Sequence, residues 1–281
     1  MPRKLTSPLK YYGGKGFLLN KLLPMIPEHK TYVEVFAGSA KLFFAKPVSQ
    51  IEVINDLDLG VTNFYQVVQD ENKFQKLFNL LSLTPYSRGE FFRCRDTWKD
   101  APDDVHRAHR WFITMRMSYA AAGKSFSFSK TSTSRGMAQC VSAYLSAVNR
   151  LPEIHERLRG RVQFDQGDFR KIIKRYDASD TFFYLDPPYV HSTRKTTNDY
   201  AHEMADQDHK DLVQILLEIK GKAILSGYAN PIYSPLEDAG WERHEFSVPC
   251  TAPACSSTNG SQPNGSVKKR QSRTEVVWIK R

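Results

Sequence analysis

The tetrapeptide Asp186-Pro187-Pro188-Tyr189 places an acid and an aromatic ring directly after the apolar run 182–185. The run predicts a strand, and the two prolines end it, because proline fixes φ near about −65° and has no amide hydrogen to donate. We therefore expect a stiff rim at the end of that strand. There the Asp186 carboxylate and a carbonyl fixed by Pro187 could accept both hydrogens of an exocyclic amine, while Tyr189 stacks on the base. The alternative is a plain strand-to-turn boundary with a capping acid.

Two further segments have the composition of a nucleoside site. The strand-like residues 34–36 precede the turn Ala-Gly-Ser-Ala at 37–40, where small residues would let a ligand approach the backbone closely. Asp56 follows the apolar run 51–54, at a spacing where an acid can bond a pair of ribose hydroxyls. A single glycine is not the G-x-G-x-x-G dinucleotide pattern, so a more general nucleoside site is favoured. A tight turn and a helix N-cap are the respective alternatives.

The segment 10–16, Lys-Tyr-Tyr-Gly-Gly-Lys-Gly, places glycines beside a lysine near the N-terminus. Backbone amides of such a turn, together with an ammonium group, can cradle an anion such as a carboxylate. The P-loop spacing G-x-x-x-x-G-K-[ST] is missing, so the segment does not indicate a triphosphate site. A flexible turn is the alternative.

The elements that must position these motifs alternate between strands and helices. This alternation predicts an open α/β sheet, in which ligands bind beyond the carboxyl ends of the strands. The stretch 251–273, rich in Ser, Gly, Asn, Pro and Lys, predicts a long loop. The predicted strands are 32–36, 51–54, 161–165, 181–185, 222–226 and 274–279, and the clearest predicted helices are 17–27, 61–69 and 206–219.

The middle of the chain, about 72–160, has a different composition, with many Arg, His, Ser and aromatic residues, and predicts helices around a loop at 123–136. Residues 87–175 hold 18 lysines and arginines against nine carboxylates, which accounts for most of the net charge of +10. Such a surface attracts polyphosphate partners, although a solvated basic face is the plain alternative. Phe126 and Phe128 alternate with serines, so a hairpin is conceivable. These rings could wedge into a duplex or fill the core of this region.

The composition excludes several other classes. The chain has 281 residues, of which 41% are hydrophobic and 25% charged, so it can bury a sizeable core and is not a disordered chain. Its four cysteines are irregularly spaced, and Cys250 and Cys255 lack a partner pair, so neither a disulfide framework nor a zinc site is expected. No apolar h-region follows the N-terminus, and no apolar run approaches the ~18 residues of a membrane span. We therefore expect a cytoplasmic protein without a membrane segment.

In this order, the four motifs resemble those of the Dam-like DNA N6-adenine methyltransferases, in which cofactor motifs come first, a target-recognition insert follows and the DPPY tetrapeptide comes after. The resemblance covers about 8–245 and 274–281. It implies a Rossmann-like α/β methyltransferase sheet, formed by 1–71 and 160–281, with an inserted, mostly helical target-recognition domain at 72–159. It also implies S-adenosylmethionine as methyl donor, duplex DNA as partner and no catalytic metal.

The resemblance also implies the roles of individual residues. Lys15 would meet the methionine carboxylate of the cofactor, Asp56 its ribose, and the pair Asp168-Phe169 its adenine ring. The catalytic residues would be Asp186, Pro187 and Tyr189. The cofactor-binding residues would be Tyr11, Lys15, Phe36, Gly38, Asp56, Asp168, Phe169 and Asp186. The basic insert would contact DNA through Arg88, Arg93, Arg95, Lys124, Lys130 and Arg135.

Two other classes of function remain open. Amino-methyltransferases of RNA adenine, of cytosine N4 or of protein glutamine have related tetrapeptides, but Asp186 and the basic insert count against a protein acceptor. A DNA-binding module without catalysis is the second class, against which the four intact motifs count. The turn at 37–40 has one glycine where many relatives have a second, which leaves its backbone contact open. The resemblance implies no obligatory protein partner and is compatible with a cognate restriction endonuclease.

Overall fold

The structure is a computed structural model that describes residues 5–10, 16–190, 203–249 and 272–281. Its centre is a seven-stranded sheet with the spatial order β5-β2-β1-β6-β7-β9-β8. The strands of the sheet are β1 (Thr31–Glu34), β2 (Ile51–Asn55), β5 (Val162–Asp165), β6 (Thr181–Leu185), β7 (Lys222–Gly227), β8 (Glu242–Pro249) and β9 (Ser272–Lys280). A separate two-stranded ribbon consists of β3 (Thr133–Ser134) and β4 (Met137–Ala138).

The five strands from β5 to β7 are parallel, and β9 runs antiparallel to both β7 and β8. Every residue of β1 and β6 is buried, as expected for central parallel strands covered on both faces. The five parallel strands follow the doubly wound order, and the last strand of the chain lies between the two that precede it. The predicted Rossmann-like α/β class is therefore confirmed.

Helices cover both faces of this sheet. One face is packed by the first helices and the insert, and the other by the helices that follow β5 and by those around β7. The described α-helices are α1 (Leu19–Leu22), α2 (Lys41–Ala45), α3 (Leu59–Gln69), α4 (Glu71–Leu83), α5 (Arg88–Thr97), α6 (Asp104–Arg116), α7 (Gln139–Val148), α8 (Leu151–Leu158), α9 (Phe169–Tyr176), α10 (Asp206–Glu218) and α11 (Ser234–Asp238).

The insert is mostly helical, as predicted, and it shares one hydrophobic core with the sheet. Phe64 of α3 stacks on Phe112 of α6 with ring centroids 5.3 Å apart. Gly60 of α3 lies against Trp111, so closely that a Cβ at this position would be 1.9 Å from the indole Nε1. Packing this close fixes the orientation of the insert on α3. The division into a catalytic part and a target-recognition part at 72–159 stays a prediction.

A buried ionic triad also ties the insert to the sheet. The Glu52 carboxylate on β2 accepts hydrogen bonds from Lys46 at 2.5 Å and from the two terminal nitrogens of Arg157 at 2.6 and 2.7 Å. Burial by itself would raise the pKa of Glu52, but Arg157 and Lys46 outweigh it and hold the pKa below its ordinary value. Because Arg157 belongs to α8, the triad joins the last helix of the insert to the sheet.

Several elements differ from the predicted ones. The helix predicted over 17–27 is the short α1, continued by a 3-10 turn at Leu23–Met25. At the two phenylalanines of the loop 123–136, Phe126 forms only an isolated antiparallel bridge with Ser118, and the hairpin itself lies further along the chain. It is the ribbon β3–β4, whose turn at Arg135 and Gly136 has φ values of 52° and 73°.

Strand β8 and helices α9 and α11 were not predicted, and one predicted loop lies almost wholly outside the described residues. Strand β8 has four polar residues in succession, which hides the alternation of a strand, and it pairs with β9 alone among the described strands. Helix α9 was also absent from the predicted elements. The loop predicted over 251–273 lies outside the described residues, except for its last two, which begin β9. Among the described residues, no helix is both long and apolar enough to cross a bilayer.

Candidate active site

Three acids lie at the same edge of the sheet because neighbouring parallel strands end there. Strands β2, β1 and β6 are adjacent, and Glu34 is paired in register with residues 54 and 184 on either side. Glu34 ends β1, Asp56 follows β2 and Asp186 follows β6. The motifs that are separated by 130 residues in sequence therefore converge at one rim.

The turn after β1 is held by Asp56. The Gly38 amide donates to Asp56 Oδ2 at 2.6 Å, and the Asp58 amide donates to Asp56 Oδ1 at 2.9 Å. Gly38 has a φ of 47° and Ala40 a φ of 50°, so the backbone coils tightly before α2 begins. Asp58 is the N-cap of α3, and its Oδ1 accepts from the Gly60 amide at 2.8 Å. The residue that caps the helix is therefore Asp58, and the Asp56 carboxylate instead binds the turn after β1.

Burial raises the pKa of Asp56 to about 6, and the hydrogen bonds from the Asp58 and Gly38 amides only partly oppose this shift. The carboxylate is half-buried, and each of its oxygens has spare lone pairs beyond the backbone amides. It can therefore accept further hydrogen bonds from the hydroxyls of a ligand.

Asn55, directly before this acid, connects three segments. Its Nδ2 donates to the Val35 carbonyl at 2.9 Å and to the Gly167 carbonyl at 3.0 Å, and its Oδ1 accepts from the Gly167 amide at 2.8 Å. The amide thereby fixes the turn before α9 against the ends of β1 and β2. Sequence reasoning gave Asn55 no role, since its partner is 112 residues away in the chain.

The pair Asp168-Phe169 lies beside the turn after β1. The rings of Phe36 and Phe169 are 5.7 Å apart. Asp168 caps α9 by accepting from the Arg170 amide at 2.8 Å, and it also pairs with the Arg170 guanidinium at 2.9 Å. That guanidinium lies 4.4 Å from the Phe169 ring centre.

Arg170 is held from the other side by α10. It pairs with Asp208 at 2.6 Å and with Asp211 at 2.7 Å. These contacts fix Asp168 in one orientation, although the partly exposed ion pairs contribute little stability each.

Asp186 shares a cavity of about 20 Å³ with Glu34 and Lys41. Burial, together with the charge of Asp186, raises the pKa of Glu34 to about 8, whereas hydrogen bonds from Tyr32 and the Phe43 amide oppose the shift. Glu34 is therefore mostly neutral near pH 7. Burial lowers the pKa of Lys41, and the charge of Asp186 raises it.

Tyr189, which ends the tetrapeptide, is held by one residue on β9 and one that follows β7. Its hydroxyl donates to the two carboxylate oxygens of Glu275 on β9 at 3.1 and 3.2 Å. The Tyr228 ring, after β7, lies 4.3 Å from the Tyr189 ring. Glu275 is 3% exposed, so this anchor is part of the core. Pro187 is buried as well, which fixes the backbone between Asp186 and Tyr189.

The structure brings most of the predicted catalytic and cofactor-binding residues together at this edge. They are Phe36, Gly38, Asp56, Asp168, Phe169, Asp186, Pro187 and Tyr189. Tyr11 and Lys15 lie outside the described residues. Gly16, which ends their segment, is near the cavity, because a Cβ on it would lie 3.5 Å from Lys41 Nζ. Lys41, Tyr228 and Glu275 were missed, since none of them belongs to a motif.

The aromatic residues of the insert divide between core and surface. Phe126 packs against Tyr86 and Phe91, with ring centroids 5.3 and 5.8 Å away, so it belongs to the core. Phe128 is 56% exposed. The Arg88 guanidinium lies 5.1 Å from the first ring and 5.7 Å from the second. Of the two candidate wedges, Phe128 is the exposed one, whereas Phe126 is partly buried.

The other basic residues expected to contact DNA have different surroundings. Arg93 pairs with Glu90, and Arg95 pairs with Asp96 at 2.7 Å, so part of their charge is balanced within the insert. Lys124 and Lys130 are exposed. Arg135 is exposed on the turn of the ribbon, and its Nε donates to the Ser142 hydroxyl at 2.9 Å.

Acids and aromatic rings at the carboxyl edge of a doubly wound sheet, beside an Asp-Pro-Pro-Tyr rim, are the geometry expected of a nucleoside-binding α/β protein. Within that class, the family model of the D12 class N6 adenine-specific DNA methyltransferases matches residues 11–244. The chain belongs to this family. The resemblance noted from the motifs is confirmed.

Individual relatives agree with this assignment. The chain is 27% identical over 223 residues to the DNA N-6-adenine-methyltransferase of Escherichia phage P1, covering 75% of this chain and 28% of that protein. It is 21% identical over 224 residues to modification methylase StsI of Streptococcus sanguinis, covering 75% and 33%. It is 24% identical over 221 residues to type II methyltransferase M.MjaIII of Methanocaldococcus jannaschii, covering 71% and 75%.

The chain thus spans about a third or less of the length of the first two relatives. Among solved structures, one from Pyrococcus horikoshii aligns over 97% of this chain and 86% of its own, with a TM-score of 0.40 and 11% identity. A likeness this distant carries no functional assignment.

Proposed function

We propose that this protein transfers a methyl group from S-adenosylmethionine to the N6 amine of an adenine extruded from duplex DNA, and that it acts in the cytoplasm. The observation that carries the proposal is the convergence of Asp186 with Glu34 and Asp56 at one edge of the sheet. Family membership supports the same reaction.

The residues at this edge fit S-adenosylmethionine by the chemistry of their donors and acceptors. Asp56 would accept hydrogen bonds from the ribose hydroxyls, because the Gly38 and Asp58 amides leave part of its lone pairs available. Phe36 and Phe169 would contact the adenine ring of the cofactor. Tyr11 and Lys15 would bind its methionine portion. When bound, S-adenosylmethionine supplies a methyl group on a sulfonium sulfur.

The tetrapeptide would prepare the acceptor amine. The lone pair of adenine N6 is delocalised into the ring, so the free amine is a poor nucleophile. The Asp186 carboxylate accepts one N6 hydrogen and the Pro187 carbonyl accepts the other, which favours a tetrahedral nitrogen with a localised lone pair. After methylation the nitrogen must lose a proton, and Asp186 already accepts that hydrogen. Tyr189 stacks on the extruded base.

The electrostatics of the cavity favour this role for Asp186. Since the pKa of Glu34 is about 8, Glu34 is mostly protonated near pH 7 and does not compete as a second anion. Lys41 lies by the same cavity and lowers the cost of keeping the Asp186 carboxylate ionised.

We further propose that 72–159 recognises the target sequence. The excess of basic residues in this region would attract the DNA backbone. Phe128, exposed on the surface of the insert, is the candidate to occupy the space left by the extruded base. The basic residues proposed to contact DNA are Arg88, Arg93, Arg95, Lys124, Lys130 and Arg135.

A transfer assay tests the reaction. Unmethylated duplex DNA is incubated with the protein and methyl-labelled S-adenosylmethionine, and the nucleosides are then separated. We expect the label in N6-methyladenine. Label in 5-methylcytosine or N4-methylcytosine, or no label, would refute the proposal. RNA of the same sequence is added in competition, and preferential labelling of RNA would assign the enzyme to a different substrate.

Substitution of Asp186 by Ala separates catalysis from binding. We expect the variant to lose turnover while it keeps its affinity for DNA and for S-adenosylmethionine. Asp238→Ala, which alters an exposed acid at the end of α11, is the matched control and should keep full activity. Loss of DNA binding in the Asp186→Ala variant would instead make Asp186 a structural residue.

A further inference from the structure

A second cavity, of about 420 Å³, lies between the N-terminal segment and the insert. It shares no lining residue with the cavity at Asp186. Its wall is made by the end of α6, the turn of the ribbon, α7, the residue before α8, and the N-terminal segment. The lining residues that matter for the argument are Ser7, Arg116, Arg135, Ser142, Ser146 and Arg150.

Three guanidinium groups line this cavity, and none of them pairs with a carboxylate in the described part of the chain. They donate to neutral oxygens instead. Arg116 donates to the Ala143 carbonyl at 2.5 Å, Arg150 to the Thr6 hydroxyl at 2.5 Å, and Arg135 to the Ser142 hydroxyl at 2.9 Å. In the residues that the structure does not describe, the sequence contains one acid among 191–202 and none elsewhere. The positive charge of the cavity is thus not balanced within the described structure.

Arg116 differs from the other two arginines because part of its guanidinium group is buried. Its Nε is buried and has no hydrogen-bond partner among the described residues. Burial, together with the charge of Arg150, lowers the pKa of Arg116 to about 10. A buried donor without an acceptor costs free energy, and so does the repulsion between like charges. An anion in the cavity would relieve the repulsion between the two guanidinium groups.

The polar groups around the arginines suit a tetrahedral oxyanion. Guanidinium groups offer paired donors whose spacing matches the oxygens of a phosphate. The Ser7 hydroxyl is a further polar group of the lining, whereas the Ser146 hydroxyl already donates to the Ser142 carbonyl at 2.8 Å. The lining residues include no carboxylate that would repel an anion. A volume of about 420 Å³ exceeds what a single water requires and admits a phosphate with its attached sugar atoms.

We propose that this cavity binds one phosphate group of the nucleic-acid backbone, held by Arg116, Arg135 and Arg150. The proposal rests on the proposed function, since it assumes that the protein binds DNA. It adds Arg116 and Arg150 to the basic residues expected from the sequence, and it makes Arg135 part of a defined site.

The position of the cavity links this phosphate to the cofactor site. Ser7 Oγ lies 3.5 Å from the Tyr65 hydroxyl, which donates to the Ser39 carbonyl in the turn after β1 at 2.9 Å. The segment that supplies Ser7 continues into 10–16, where the cofactor-binding residues Tyr11 and Lys15 are expected. A phosphate in the cavity would therefore lie against the N-terminal segment that precedes the residues expected to bind the methyl donor.

Charge-removing variants of the full chain test the site. Arg150→Gln and the double variant Arg116→Gln/Arg150→Gln are compared with Arg161→Gln, an exposed arginine outside the cavity. Binding of a fluorescent duplex is measured at several salt concentrations. We expect the slope of log K against log[salt] to fall by about 0.9 in the double variant, which corresponds to one lost phosphate contact, and to stay unchanged in the control. Equal slopes in the double variant and the wild type would overturn the proposal.

Inorganic phosphate gives a second readout that needs no DNA. The thermal unfolding midpoint is measured in phosphate and in chloride at equal ionic strength. We expect phosphate to raise the midpoint of the wild type and of Arg161→Gln, and to raise it less in Arg150→Gln, whose half-exposed side chain can be changed without opening the core. An equal rise in all variants would contradict the site.

The outcomes separate this proposal from the proposed function. If the wild type methylates DNA and the double variant keeps the wild-type salt slope, the phosphate site is wrong and the methyltransferase assignment stands. If phosphate stabilises the wild type through these arginines but the protein does not bind DNA, the site takes free phosphate, and the backbone assignment and the proposed function both fail.

Discussion

Binding of S-adenosylmethionine should weaken in acid, because Asp56 must be ionised to accept hydrogen bonds from the ribose. The pKa of Asp56 is raised to about 6 by burial. If only the carboxylate form binds, the apparent Kd is multiplied by 1 + 10^(pKa − pH). The factor is about 1.1 at pH 7 and about 11 at pH 5, a loss of roughly 1.4 kcal/mol. Binding at pH 6 should also release about half a proton.

Calorimetric titration at pH 5, 6, 7 and 8 measures both quantities, the second from buffers with different ionisation enthalpies. Asp56→Asn is the matched variant, because it keeps an acceptor oxygen but cannot titrate. It should bind more weakly at pH 8, and it should lack the about tenfold loss between pH 7 and pH 5 that the wild type shows. Parallel pH profiles for the two proteins would refute the assignment of Asp56 to the ribose.

The contribution of Asp56 to the free energy of unfolding of the ligand-free protein should become more favourable in acid, opposite to its effect on cofactor binding. The folded pKa of Asp56 lies above its ordinary value of 3.8, so its contribution to stability is fully present below that value and is lost as pH rises through about 6. Acid therefore favours the folded protein at this residue while it weakens cofactor binding. The two effects can be separated by unfolding the protein with and without S-adenosylmethionine.

Three further substitutions test the packing and the rim. Glu52→Gln leaves two buried cations without a carboxylate and should lower the free energy of unfolding in urea by about 3–5 kcal/mol. The folded pKa of Glu52 is lowered, so the wild type should lose this stabilisation as pH falls below the ordinary glutamate range. Gly60→Ala forces a Cβ to within 1.9 Å of an indole and should cost about 1–3 kcal/mol or more, whereas Gly89→Ala, whose Cβ would meet nothing nearer than 3.8 Å, should be neutral or slightly stabilising. Tyr189→Phe and Glu275→Gln should each lower kcat, and the double variant should lose no more than the worse single variant. Additive losses would show that the two residues act separately.

The parts of the fold that could be predicted from the sequence are those in which a strong local pattern coincides with burial. Strand β6 is a continuous apolar run between turn-forming residues, and the helix at 206–219 has a regular apolar face, so both were predicted within a residue or two. Strand β8 was missed because its first four residues are all polar. Its place in the sheet depends on pairing with β9, which no local pattern reveals.

The candidate site was predictable where a motif carries its own geometry. Three motifs each indicate the end of a strand: the Pro-Pro step, the small-residue turn and the acid after the second strand. Parallel strands bring such ends to one edge of the sheet. Lys41 was not predictable, since a lysine at the start of a helix is usually a surface residue. It acquires a place at the site only because α2 begins where the turn points towards Asp186.

The rigidity of the rim depends on more than its two prolines. Proline fixes the backbone between Asp186 and Tyr189, but it does not fix the Tyr189 ring, which could still turn about its side-chain bonds. The ring is held by Glu275, which lies on the last strand of the chain, and by the Tyr228 ring after β7. Strand β9 lies between β7 and β8, so it runs inside the sheet and not at its edge. This position places the buried Glu275 carboxylate behind the rim. The insertion of the last strand is therefore a requirement of the proposed catalytic site as well as of the core.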